Sequence, residues 1–122
     1  TERALSMELR GAYPPKAGIT RYVRRVRMKD SCVEIADRLS LSGSGDVVFN
    51  ILLRSEPEIT GAGKVLLGGG HTLGHDSTLI AGIEKIELTD AKLRADFAAE
   101  RLFRLRLTAK EVREAEFVVT IA

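Results

Sequence analysis

Apolar and polar residues alternate along most of the chain with a period of two, which is the pattern of a β-strand that buries one face. Leu5, Met7 and Leu9, for example, alternate with Ser6 and Glu8. Segments that alternate in this way, or that are rich in Val, Ile, Leu and Phe, occupy residues 5–9, 19–29, 33–41, 47–53, 64–67, 83–88, 102–107 and 117–121. The pattern therefore predicts about eight strands.

Short polar connectors separate several of these segments. Lys29 and Asp30 form one connector, and the sequence SGSGD at residues 42–46 forms another. Connectors of this length and composition close antiparallel hairpins, so neighbouring segments are expected to pair. Many strands without a regular alternation of strand and helix favour an antiparallel β-sandwich, with closure into a barrel as the structural alternative.

Two stretches carry a helical signal instead. Residues 90–101 are rich in Ala, Lys, Leu, Arg and Glu, and Leu93 and Phe97 are spaced four residues apart, which predicts a short helix. Residues 108–116 carry a weaker signal for a single turn, with Thr108 as N-cap and Glu111 as its capping-box partner.

The length of 122 residues predicts a single domain that spans residues 1–122 and has one core. A chain of this size buries enough surface to fold without disulfides or a structural metal. The longest apolar runs, residues 47–53 and 117–122, are far shorter than the roughly 20 residues of a membrane-spanning helix. We therefore expect no membrane span, and Cys32 has no internal disulfide partner.

The segment ITRYVRRVRMK at residues 19–29 has the most unusual composition of the chain. In a strand, Arg21, Arg25 and Arg27 share one face, while Arg24 lies on the other face with Tyr22. Alternate residues of a strand are about 7 Å apart, which resembles the charge spacing of an acidic polymer, and the arginine fork suits carboxylate and sulfate. The three arginines are thus candidate ligands for an acidic glycan; the alternative is a solvated face on which they pair with Glu34 and other carboxylates.

The sequence GGGHTLGHD at residues 68–76 contains both histidines of the chain. His71, His75 and Asp76 are weak candidates for metal ligands, because the glycines argue against the helix that would place both imidazoles on one face. We predict an exposed loop here, and no metal. The glycines also lack the Gly-Lys-Ser/Thr ending of a phosphate-binding loop, and no cofactor is expected.

Other functional classes find little support in the sequence. No Gly-x-Ser-x-Gly nucleophile elbow is present, and Cys32 lies in an apolar alternation that favours a core thiol over a catalytic dyad with histidine. A net charge of only +2, with 5% aromatic residues and no Trp, offers no stacking platform for nucleic acid. We therefore predict no nucleic-acid partner.

A series of landmarks follows a recognisable order along almost the whole chain. It begins with GAYPPKAGI at residues 11–19, YVRRV at 22–26 and VEIAD at 33–37, and continues with residues 47–53, Pro57-Glu58 and IEKI at 83–86. Asp90, Leu93 and Phe97, the sequence LFRL at 102–105 and a final hydrophobic strand complete it. In this order the chain resembles the C-terminal part of heparinase II/III-like polysaccharide lyases.

The resemblance implies a β-sandwich attached to the helical and central domains of a larger enzyme that cleaves uronic-acid-containing polysaccharides by β-elimination. In that family the catalytic tyrosine, histidine and metal ligands belong to the other domains, so it assigns no catalytic residue here. The expected function is that of an excised, non-catalytic C-terminal domain whose partners are the remaining catalytic domains. Export to the periplasm or beyond the cell is expected from the same resemblance.

Two alternatives to this function remain open. The first is an autonomous module that binds acidic glycans through the arginine face, and the second is a structural or subunit-contact domain. Tyr13, which precedes Pro14 in the landmark motif, is interpreted as a residue that anchors a turn against the sandwich rather than as a catalytic phenol.

Overall fold

The computed structural model describes residues 3–122, so the first two residues of the predicted domain lie outside the described part. The described chain forms eight antiparallel strands and one α-helix. The strands are β1 (Arg3–Glu8), β2 (Ile19–Met28), β3 (Val33–Leu53), β4 (Glu58–Gly61), β5 (Lys64–Gly68), β6 (His71–Gly74), β7 (Ile80–Glu87) and β8 (Arg101–Ile121). The helix α1 covers Ala91–Phe97, and two 3₁₀ turns cover Arg10–Ala12 and Pro15–Ala17. The predicted all-β, sandwich-like antiparallel fold with one short helix is confirmed.

All eight strands belong to one sheet, in the order β1-β2-β3-β8-β6-β5-β4, with β7 paired to β8 outside this path. Strands β3 and β8 are each 21 residues long and form the centre of the sheet. They pair from Val33 opposite Ile121 to Leu53 opposite Phe103. Because β2 flanks the first half of β3 and β7 flanks the first half of β8, the long pair carries a separate group of neighbours at each end.

The sheet folds back on itself to make two layers. Phe117 pairs with Asp37 at one end of the β3–β8 ladder, whereas Phe49 pairs with Leu107 further along it. In a flat ladder, positions ten residues apart would be separated by about 35 Å. The Phe49 and Phe117 rings instead stack with centroids 6.0 Å apart. The two ends of the long pair therefore face each other across the core.

Side chains from both layers fill this core. Leu105, Leu107, Val65, Leu73 and Val119 are completely inaccessible to solvent. Burying each such side chain contributes roughly 1.5–3 kcal/mol relative to leaving it exposed. The apolar residues of the alternating pattern are thus the ones whose side chains point between the two layers.

The polar segment at residues 42–46 bends β3 and does not end it. The register between β3 and β8 shifts between Ser40 and Gly45 and again between Gly45 and Val47. The predicted hairpin at this connector is therefore wrong. The parts of β3 before and after the bend do not pair with each other, and each pairs with a different part of β8.

The helical turn expected at residues 108–116 is also wrong, since this segment is the bend of β8. Thr108 lies in ladders with Val48 on one side and Ile80 on the other. Glu111 adopts a left-handed conformation with φ of 52°, and its backbone N–H donates to Oδ1 of Asp46 at 2.9 Å. The bends of β3 and β8 are thus hydrogen-bonded to each other.

Residues 68–76, expected as an exposed loop, contain the tight turn between β5 and β6 and then β6 itself. Gly68, Gly69 and Gly70 all have positive φ, which glycine adopts without a steric penalty. Leu73 of β6 pairs with Val65 and with Ile121 and is fully buried. The expectation of a loop is wrong because the glycines supply the turn that allows this short strand to join the sheet.

Helix α1 lies where the composition predicts it and is shorter than residues 90–101. The Asp90 side chain caps it by accepting hydrogen bonds from the backbone N–H groups of Lys92 and Leu93, at 2.8 and 3.3 Å. Ala98 takes a left-handed conformation with φ of 50°, which ends the helix and leads the chain into β8. No helix within residues 3–122 is long and apolar enough to cross a membrane.

Candidate functional site

A charged side chain lies in the core between the two layers. Asp37 of β3 is only 2% exposed and interrupts the apolar alternation of its strand. Arg24 lies directly opposite on β2 and donates from Nε to Oδ1 and from Nη2 to Oδ2, both at 2.7 Å. The Tyr22 hydroxyl donates to Oδ2 at 2.9 Å. Tyr22, Arg24 and Asp37 together are called the Tyr-Arg-Asp cluster below.

The geometry of β2 brings the cluster together. Tyr22 and Arg24 are two residues apart, so both point to the core face of the strand, and antiparallel pairing places Arg24 opposite Asp37. Nη2 of Arg24 also donates to the Tyr22 hydroxyl at 3.2 Å. The guanidinium carbon lies 5.4 Å from the centre of the Phe49 ring, which belongs to the other layer. The cluster therefore ties β2 to β3 and both strands to the opposite layer.

The protons of the cluster are held firmly. Burial raises the pKa of Tyr22 to about 12, and the hydrogen bond to Asp37 acts in the same direction. The hydrogen bond to Asp37 also raises the pKa of Arg24 above its ordinary value. At neutral pH the phenol is therefore neutral and the guanidinium charged. In these protonation states the Tyr22 phenol and the Arg24 guanidinium donate hydrogen bonds and stabilise the fold, but neither group accepts a proton.

A cleft of about 550 Å³ opens beside the cluster, between β2 and the bend of β3. The cluster and Phe49 form part of its wall, and Asn50 lies on the strand that follows the bend. The remaining polar lining comes from the bend itself, with Ser42, Ser44 and Asp46. Because Arg24 is 32% exposed while Asp37 is buried, the cluster presents its arginine to the cleft.

Tyr13 lies at the mouth of this cleft. Its ring is tilted by 36° against that of Tyr22, with centroids 5.8 Å apart, and the side chain remains 46% exposed. Its backbone N–H donates to the carbonyl of Arg10, within the turn that leads out of β1. The predicted role of Tyr13 in anchoring this turn agrees with the ring contact.

The three arginines of the predicted glycan-binding face lie on the outer face of the sheet, opposite the cluster. Arg21 and Arg25 are exposed, and Arg27 is half-buried. The register places Ser40, Ala36 and Glu34 across from them on β3. The split of the arginines between two faces therefore follows the alternation in the sequence, and Arg24 alone of the four points to the core.

Carboxylates accompany these arginines on the outer face. Arg27 lies 3.7 Å from Glu34, and Arg38 lies 3.5 Å from Glu116 on β8. By register, this outer face of β1, β2, β3 and β8 carries four arginines and four glutamates: Arg21, Arg25, Arg27, Arg38, Glu8, Glu34, Glu114 and Glu116. Lys29, directly after β2, lies 3.8 Å from Glu34 and adds a fifth cation. The arginine stripe is thus part of a face whose charges nearly balance.

The weak metal candidates are spread along one short strand and the turn after it. His71 begins β6 and is exposed, whereas His75 follows the strand and is half-buried. The ring Nδ1 of His75 donates to the carbonyl of Asp76 at 2.7 Å, and the Asp76 carboxylate accepts from the N–H and hydroxyl of Thr78. Within residues 3–122, no three His, Cys, Asp or Glu side chains lie close enough to share a metal ion.

The cluster is the part of the site that the sequence interpretation missed. The signal was present: Asp37 occupies a core-facing position in an apolar alternation, and Arg24 shares the parity of Tyr22. Charged residues at core positions are almost always paired, so the presence of Arg24 and Asp37 at such positions predicts that they pair across adjacent strands. The residues at the bend, in contrast, join the site only through a curvature that local sequence does not encode.

The chain matches no protein-family model, and no curated protein is significantly similar to it.

Proposed function

We propose that this chain is the non-catalytic C-terminal β-sandwich domain of a heparinase II/III-like polysaccharide lyase, and that it packs on and supports the catalytic domains of that enzyme. The proposal rests on the order of the landmark residues along the sequence. It is supported by the fold, because an antiparallel all-β sandwich-like domain is what the resemblance implies.

The observation that favours a non-catalytic role is the state of the Tyr-Arg-Asp cluster. Elimination beside a uronate carboxylate needs a base whose pKa lies near the working pH. Tyr22 has a pKa of about 12 and already donates its proton to Asp37. Asp37 accepts three hydrogen bonds and is 2% exposed, so it meets no substrate.

The gene that encodes this chain offers the test of the proposal. The account expects the same open reading frame to encode, upstream, the helical and central domains of a lyase. Deleting the present domain from that enzyme should lower the melting temperature of the remainder, while the folded fraction retains its turnover number. A reading frame without such domains, or a deletion that leaves the melting temperature unchanged, would refute the supporting role.

The acidic-glycan alternative has weaker support. Arg21, Arg25 and Arg27 share one face as predicted, but the glutamates on the neighbouring strands offset most of the positive charge of this face. An acidic chain would therefore meet only weak attraction at long range on this face. Glycan binding by these three arginines remains a prediction. A titration with uronic-acid oligosaccharides at low and physiological salt tests it.

A subunit-contact role is favoured by apolar side chains on edge strands. Leu5 of β1 is 60% exposed and Ile80 of β7 is 55% exposed. β1 is the first strand in the order and β7 pairs with β8 alone in the described sheet. Exposed apolar edges pair readily with a second copy of the chain. Sedimentation at several concentrations tests this role: a concentration-dependent dimer supports it, and a monomer throughout refutes it.

A further inference from the structure

The cleft beside the Tyr-Arg-Asp cluster continues into a second depression. This depression has a volume of about 660 Å³ and lies beside the turns that connect β1 to β2. Both cavities are lined by Tyr13, Gly18, Ile19 and Ser42. Each has the size of a small-molecule site, and the half-exposed Tyr13 ring stands between them. Together they form a groove, called the Tyr13 groove below, that suits an elongated ligand better than a single compact one.

The Tyr13 ring is positioned as a rigid platform. It rests against Tyr22, whose hydroxyl is fixed by the buried Asp37. The backbone on both sides is held by 3₁₀ turns, in which Tyr13 bonds to Arg10 and Gly18 bonds to Pro15. An exposed aromatic ring that is held in this way can stack against a flat apolar face with little loss of conformational entropy.

Hydrogen-bonding groups share the lining of the groove with the ring. Among the described residues, Nε and Nη2 of Arg24 bond to the cluster, which leaves both N–H groups of Nη1 for a ligand. Ser42 and Ser44 contribute hydroxyls, and the Ser42 oxygen lies beside Gly18, which lines both cavities. This lining offers hydrogen-bonding groups beside an aromatic face.

The charges of the Tyr13 groove favour neither an anionic nor a cationic ligand. Apart from Glu8, which register places on the outer face, its lining includes two arginines and two carboxylates with a formal net charge of zero: Arg10, Arg24, Asp37 and Asp46. Each of these carboxylates already accepts a hydrogen bond, Asp37 from Arg24 and Asp46 from the N–H of Glu111. The groove is therefore polar without a net charge, and its ligand should be uncharged.

We propose that the Tyr13 groove binds a neutral oligosaccharide, with one sugar ring stacked on Tyr13 and its neighbours hydrogen-bonded to Arg24 and Ser42. Sugars combine an apolar face of C–H groups with a rim of hydroxyls, which is the complement of an aromatic ring surrounded by donors and acceptors. The inference goes beyond the proposed accessory role and does not depend on it, because it uses only the lining of the groove.

A titration monitored by amide NMR tests the proposal on the purified chain. The probes are the neutral hexasaccharides of cellulose, xylan, mannan and amylose, each added to millimolar concentration. We expect at least one to give saturable shifts centred on Tyr13 and residues 42–50. Tyr13→Ala should weaken its affinity about tenfold, whereas Tyr13→Phe, which retains the ring, should bind within about twofold.

Two further variants separate binding from folding. Ser42→Ala removes a hydroxyl at an exposed position that lines both cavities, and should weaken binding severalfold without altering the shifts of distant strands. Arg25→Ala, on the outer face, should leave the affinity unchanged. The proposal is overturned if no hexasaccharide gives saturable shifts in the groove, or if Tyr13→Ala binds as well as the unaltered chain.

Discussion

The buried carboxylate of Asp37 depends on its two partners. Its oxygens accept hydrogen bonds from Arg24 and Tyr22 only because the register of β2 and β3 brings these side chains together. Removing one member of a buried ion pair leaves the other without compensation, which costs about 3–5 kcal/mol. Arg24 retains access to solvent through the cleft, so the lower end of this range applies.

Asp37→Asn should accordingly lower the free energy of unfolding in urea by about 3 kcal/mol. The matched control is Glu116→Gln, which neutralises a carboxylate in the exposed pair with Arg38, where the side chains are 63% and 55% exposed. That control should lose less than about 1 kcal/mol. Equal losses in the two variants would contradict the importance of the buried cluster.

The titration of Tyr22 gives a second prediction at this scale. The chain has two tyrosines, so in Tyr13→Phe the ultraviolet absorbance of tyrosinate reports Tyr22 alone. Burial and the bond to Asp37 should place this transition at about pH 12 in the folded chain, against 10.0 for an ordinary tyrosine. A transition near 10.0 in the folded variant would show that the phenol is exposed.

The same shift determines the direction of a pH effect on stability. The folded-state pKa lies above the unfolded value, so the folded chain binds the phenolic proton more tightly. This contribution is complete below pH 10.0 and is lost as the pH rises toward about 12. Tyr22→Phe should therefore lose stability less steeply than the unaltered chain across this interval.

At the scale of the elements, the sequence predicts what depends on local alternation. The strands around Val26, Ile35 and Val119 were predicted because their apolar residues recur with a period of two and point into one core. The bend of β3 is not predicted, because the hydrogen bond that holds it joins Asp46 to Glu111, 65 residues away in the sequence. Strand β6 is not predicted either, because it is short and follows three consecutive glycines, which are typical of a loop.

The turn between β4 and β5 depends on a glycine that nothing else can replace. Gly63 has φ of +82°, and a Cβ added there would lie 2.6 Å from the carbonyl oxygen of His75. Gly70 has the same φ of +82° but has nothing within 4 Å of an added Cβ. The two glycines therefore share the same φ and differ in the space that is open to an added Cβ.

We expect Gly70→Ala to lower the free energy of unfolding by about 1–2 kcal/mol, because alanine is strained in the left-handed backbone conformation. Gly63→Ala should lower it by about 1–3 kcal/mol more than Gly70→Ala does, because the backbone that carries His75 must also move. Urea denaturation of both variants measures the difference. Equal stabilities would mean that the hairpin does not pack against the chain after β6.

At the scale of the whole molecule, the folding of one sheet into two layers creates both the core and the cleft. Phe49 and Phe117 come from different halves of the long β3–β8 pair and meet only because it bends. Leu substitutions at the two positions, made singly and together, should show a coupling energy of about 0.5–1.5 kcal/mol. Additive effects, together with no nuclear Overhauser contact between the rings, would contradict the two-layer arrangement.

The absorbance of unsaturated uronate tests most directly whether this domain lacks catalytic activity of its own. The purified chain would be incubated at high concentration with alginate, heparin, chondroitin sulfate and hyaluronan, and the ultraviolet absorbance followed over time. Because the protons of the Tyr-Arg-Asp cluster are firmly held, we expect no increase above the protein-free control. An increase that disappears in Tyr13→Phe or Tyr22→Phe would contradict the account and identify the cleft as an active site.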